Sequence, residues 1–85
     1  MQTLGERLRW AREASGLSQR ALSARAQLKS PRHVGLIELD TYKTIEGTTA
    51  AQIAGVLGVS LDWLLSGTGE QPTAEAIRES AGRAA

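Results

Sequence analysis

Few residues in this 85-residue chain can do covalent or metal chemistry. There is no cysteine, His33 is the lone histidine, and no glycine-rich phosphate loop or His/Asp/Glu cluster at ligand spacing occurs. A nucleophile with its base and a metal ligand set are both missing, so the sequence predicts no enzyme, no metal and no cofactor. What remains is donor chemistry. Gln19, Arg20, Lys29, Ser30, His33 and Lys43 offer amide, guanidinium, hydroxyl, imidazole and ammonium groups between positions 19 and 43. Donors of this kind suit phosphates, where they set register and carry no sequence information. Arg32, in the same stretch, can do more. A guanidinium can bind guanine O6 and N7 together, for about 1–3 kcal/mol of discrimination between bases.

The charge distribution follows the same division. Residues 1–45 hold eight Lys/Arg against four Asp/Glu, a balance of +4, and residues 46–85 hold two against five, a balance of −3. A chain basic at the front and acidic at the back suits a polyanion on one face. Apolar residues make up 41% and charged residues 22%, a globular composition with room for one modest core. No apolar run approaches the length of a membrane span, and the opening "MQTLGERLR" has no apolar signal core. Together with the missing cysteines, this leads us to expect a cytoplasmic protein that does not engage a membrane.

Helices must position these donors. Thr3 and Glu6 have capping-box spacing, Leu4, Leu8 and Ala11 form a stripe, and Gly16 supplies a stop, so a first helix is expected at 4–15. Ser18 caps a second, expected at 19–27, with Leu17 and Leu22 at staple spacing. "SPRHVGLIELD" then reads as a third, capped by Ser30 with Pro31 in its first position. If Val34 and Ile37 face the core, the opposite stripe carries Arg32, Gly35, Leu36 and Leu39. Two short helices joined by a turn, the second basic at its start, describe a helix-turn-helix, although a generic helical hairpin gives the same pattern. Thr44 as cap and Glu46 in the first turn suggest a fourth helix, with Ala50, Ile53, Ala54 and Leu57 inward and Gly58 as its stop. Ser60 caps a fifth, which Gly67 closes. "AEAIRESAGRAA" reads equally as a last helix or a frayed tail. The expected fold is all-α, five helices with a possible short sixth, divided into a domain at 1–67 and a linker or tail at 68–85.

In order along residues 3–68, "LGERLRWAREASGLSQRAL", "VGLIE" and above all "LGVSLDWLLSGT" resemble the helix-turn-helix domain of the lambdoid phage repressors and Cro proteins. The resemblance implies a DNA-binding domain whose third helix enters the major groove, working as a homodimer on near-palindromic operators with half-sites about 34 Å apart. It implies that Gln19 binds phosphate and braces the recognition surface. It also implies that Arg12 and Glu38 pair beneath that surface, and that Pro31, Arg32, Gly35 and Leu36 reach base edges. Two departures stand out. The turn is one residue longer than the family's commonest form, with Gln27 in place of its glycine, and Asp40 stands where a glycine usually ends the third helix.

Gly35 and Leu36 bring no side-chain hydrogen bond to a base, but glycine permits close approach and leucine can pack on a thymine methyl. The rival reading makes Leu36 and Leu39 an apolar patch for a protein partner or for the C-terminal segment. The expected function is therefore a DNA-binding transcriptional regulator, more readily a repressor than an activator for so small a chain. The alternative is a helix-turn-helix module for protein contact, such as an antitoxin, anti-repressor or adaptor. Trp63 is expected in the core or at a dimer surface, while Trp10 either flanks the core beside Ala14 or meets a partner.

Overall fold

The computed structural model describes residues 3–83, the side chain of Arg83 excepted. Six helices follow one another: α1 (Leu4–Ser15), α2 (Gln19–Arg25), α3 (His33–Glu38), α4 (Gly47–Leu57), α5 (Leu61–Ser66) and α6 (Ala74–Arg83). No strand occurs among the described residues. The fold is all-α.

Local chemistry sets most of the boundaries. The Thr3 hydroxyl accepts from the Glu6 amide and the Glu6 carboxylate accepts from the Thr3 amide, closing the expected capping box at 3.1 Å in each direction. Ser18 and Ser60 cap α2 and α5 through the amides of Ala21 and Trp63, both at 3.0 Å. Gly16, Gly58 and Gly67 end α1, α4 and α5 in the left-handed region, with φ of 79°, 70° and 75°.

Three boundaries differ from the sequence expectation. Helix α2 stops at Arg25, because Gln27 takes a left-handed φ of 59° although it is no glycine. Helix α3 starts at His33, not at Pro31. The Ser30 hydroxyl accepts from the Arg32 amide at 3.1 Å and the Ser30 carbonyl from the His33 amide at 3.1 Å, so residues 30–32 form a tight turn ahead of the helix. Arg32, the N-cap, brings no side-chain cap of its own. At α4 the N-cap is Glu46, also without a side-chain bond, and Thr44 lies in the connector.

One core joins all six helices. Leu4, Leu8 and Ala11 of α1 meet Leu22 of α2, Val34 and Ile37 of α3, Ile53, Ala54 and Leu57 of α4, Trp63 and Leu64 of α5, and Ile77 of α6. Of the two readings open for the C-terminal segment, the structure has the helix. Thr73 caps it through the Ala76 amide at 3.1 Å, and it packs on α1 and α4 with Ile77 fully buried. Trp63 is buried, and Trp10 flanks the core, meeting Trp63 edge-on with centroids 5.9 Å apart.

Two arginines tie helix ends together, one from within the core and one from the surface. Arg7, only 5% exposed, donates from Nε to the Leu64 carbonyl and from Nη2 to the Leu65 carbonyl, each at 2.9 Å. It thereby satisfies carbonyls in the last turn of α5 that the helix leaves without partners. Arg25, in the last turn of α2, donates from Nη1 to the Ala81 carbonyl of α6 at 2.9 Å. The apolar stripe already signals the inward place of Arg7, three residues beyond Leu4, a position its charge disguised.

Candidate nucleic-acid interface

The six residues of α3 hold a place on the surface because two of them are deep inside. Val34 and Ile37 are fully buried, which turns the opposite side outward. On that side Leu36 is 39% exposed and Leu39, just past the helix, 77% exposed. Arg32 and Pro31 are exposed in the turn before the helix, while His33 and Gly35 are half-buried.

A polar chain runs beneath this surface. Arg12 of α1 donates from Nε to Glu38 Oε2 at 2.6 Å and from Nη2 to Glu38 Oε1 at 3.2 Å. Its Nη1 reaches the Leu17 carbonyl at 3.0 Å, which fixes the turn between α1 and α2 as well. The carboxylate of Glu38 is nearly out of water, its side chain 4% exposed against 13% for Arg12. Gln19, the first residue of α2, donates from Nε2 to Glu38 Oε1 at 3.0 Å. A carboxylate can only accept, so this bond fixes which end of the Gln19 amide faces Glu38. The other end, Oε1, lies 3.0 Å from where a Cβ on Gly35 would stand. Glycine at 35 thus makes room for Gln19 against α3.

The cations separate into two groups by what they already hold. Arg7 and Arg12 are committed to carbonyls or a carboxylate inside the fold, Arg25, itself exposed, to the Ala81 carbonyl of α6, and Arg9 pairs with Glu13 at 3.4 Å on the surface. Arg20, Lys29, Arg32 and Lys43 are exposed, and among the described residues none of their side chains has a hydrogen bond or ion pair. Among the described side chains, Arg78 of α6 is also in that condition. The four lie at the start of α2, in the turn before α3 and in the connector after it, so they flank the outward side of α3 in the chain.

The connector is held against the helix. The Tyr42 ring meets His33 edge-on, with centroids 6.2 Å apart, while Lys43, the next residue, lines a shallow cleft with Thr3, Leu4 and Asp40. The structure therefore brings Gln19, Gly35 and Glu38 into one contact network, and places His33 against the connector that carries Lys43. Leu36 and Leu39 stay open, since α6 lies on α1 and α4. Among the described residues no group of three His, Asp or Glu side chains is gathered as metal ligands, and no helix is long and apolar enough to cross a membrane.

Sequence reasoning missed Asp40 and Arg7. Asp40 takes a left-handed φ of 58° past the end of α3, and its carboxylate accepts from the Thr3 hydroxyl and the Gly5 amide, each at 2.9 Å. Its place where the resembled family has a glycine was the available signal, and that signal spoke only of backbone conformation.

Two consecutive helices joined by a turn, the second held outward on a buried polar pair and flanked by uncommitted cations, define a helix-turn-helix DNA-binding domain. A family model described as Helix-turn-helix matches residues 8–64. The chain belongs to that family, the repressor and Cro type of helix-turn-helix, and is a DNA-binding regulator. No curated protein and no solved structure matches the chain.

Proposed function

We propose that this protein is a sequence-specific transcriptional repressor, binding a near-palindromic operator as a homodimer in the cytoplasm, with α3 of each copy in the major groove. One observation carries the reading: Arg20, Lys29, Arg32 and Lys43 are uncommitted, whereas Arg7, Arg12 and Arg25 each hold a partner within the protein. Long cationic side chains without protein partners around an outward helix are what a phosphate backbone requires. Gln19, Arg20, Lys29, Ser30, His33 and Lys43 serve phosphates. Arg32 reads a guanine edge from the turn before α3, and Leu36 packs on a thymine methyl. Pro31 lies beside the bases in the turn, and Gly35 serves the reading surface by giving Gln19 room to brace it.

Gel retardation on mixed-sequence duplex DNA tests this. Between 50 and 200 mM salt the affinity should fall by about 10³–10⁵, the effect of releasing counterions from 6–10 phosphates across a dimer. Arg32→Ala should relax the preference among selected operator fragments at one position, while Lys43→Ala should weaken all sequences alike.

The exposure of Leu39, 77%, favours a second reading in which the Leu36–Leu39 surface binds a protein. No retardation at low salt, together with a protein partner lost on Leu36→Ser, would select it over the DNA reading.

A further inference from the structure

Helix α3 is too short to hold its own angle, and the tie at Glu38 restrains one point of it. A second tie lies just beyond. The Gly5 amide belongs to the first turn of α1, where backbone donors lack partners within the helix, and it donates to Asp40 Oδ1 at 2.9 Å. The Thr3 hydroxyl accepts from Glu6 and spends its own hydrogen on Asp40 Oδ2 at 2.9 Å. One carboxylate from the end of α3 thus serves the positive end of α1.

Gly5 completes the fitting. A Cβ there would stand 2.6 Å from the Glu38 carbonyl and 2.8 Å from the Ile37 carbonyl, both backbone atoms of α3. The end of α3 presses on the first turn of α1 at a distance only glycine allows, and Asp40 closes over the contact. The left-handed φ of 58° at Asp40 then turns the chain into the connector, where Tyr42 meets His33.

We propose that Asp40 is a positioning residue for sequence reading. Clasped by Thr3 and Gly5, it fixes the angle of α3 on α1 and the departure of the connector, so that Arg32, Leu36 and Lys43 keep one register in the groove. The proposal rests on the DNA-binding reading for its consequence, but its geometry is independent of DNA. The backbone of Asp40 makes the left-handed turn itself, and its carboxylate adds a tether that a glycine there would lack.

Asp40→Gly keeps the left-handed backbone and removes the clasp, and Asp40→Asn restores one acceptor for the Gly5 amide. Both are compared with the unaltered chain below their unfolding transitions, first by residual dipolar couplings of α3 against α1 without DNA. Affinities are then measured for a selected operator and for mixed duplex DNA. Asp40→Gly should reorient α3 and lower operator affinity by about tenfold, the scale of one mismatched base pair. Mixed-sequence affinity should change little, and Asp40→Asn should recover part of the loss. Unchanged couplings in Asp40→Gly, or operator and mixed affinities falling equally, would overturn the proposal. If the unaltered chain retards no DNA, the DNA reading fails, and the couplings alone judge the clasp.

Discussion

Gln27 gives the sharpest test of how this turn is built. Its φ of 59° lies in the region where a Cβ crowds the following carbonyl oxygen, at about 1–2 kcal/mol for an L residue. Its side chain is exposed and makes no hydrogen bond among the described residues, so nothing it does offsets that strain. Gln27→Gly removes the crowding but gives the unfolded chain extra freedom worth about 0.4–1 kcal/mol. The difference leaves a net stabilisation of about 0.8 kcal/mol, a rise in Tm of about 3–6 °C for a domain of this size. Thermal unfolding followed by circular dichroism reads it, with Gln27→Ala as the control. Alanine lacks the side chain and keeps the Cβ, so it should melt no higher than the unaltered chain. If glycine brings no gain, or alanine gains as much, the strain argument is wrong.

Arg12→Met should leave the Glu38 carboxylate buried without its countercharge and cost about 3–5 kcal/mol in urea unfolding. Replacing both residues by Met should cost less than Arg12→Met alone, and a double mutant as unstable as the two single losses added would refute the pairing argument. Ile77→Ala should cost about 2–5 kcal/mol, since the side chain is fully buried against α1 and α4, and a loss under about 0.5 kcal/mol would mean that α6 is an appendage.

The helix starts at Thr3, Ser18 and Ser60 and the stops at Gly16, Gly58 and Gly67 were legible because a hydroxyl or a missing Cβ acts locally. The start of α3 was misplaced for the same kind of reason. Ser30 followed by Pro31 satisfies a capping rule and a turn rule equally, and only the packing of Val34 and Ile37 decides between them. Ties between distant segments were invisible in themselves. Arg7 on α5, Arg25 on α6 and Asp40 on α1 join residues 35 or more positions apart, where no spacing rule reaches. The pairing of Arg12 with Glu38 was foreseeable only through the resemblance. The α6 segment offered one large apolar residue, Ile77, and its docking depends on the surface that α1 and α4 leave open.

The division of labour within α3 bears on redesign. Its inward weight rests on Val34 and Ile37 and its polar anchorage on Glu38 and Asp40, so the exposed side chains of Arg32 and Leu39 carry little of the scaffold and Leu36, 39% exposed, carries only part of it. If the proposed DNA reading holds, a library randomised at positions 32 and 36, with Gly35 retained to seat Gln19, samples new operators while that frame stays in place.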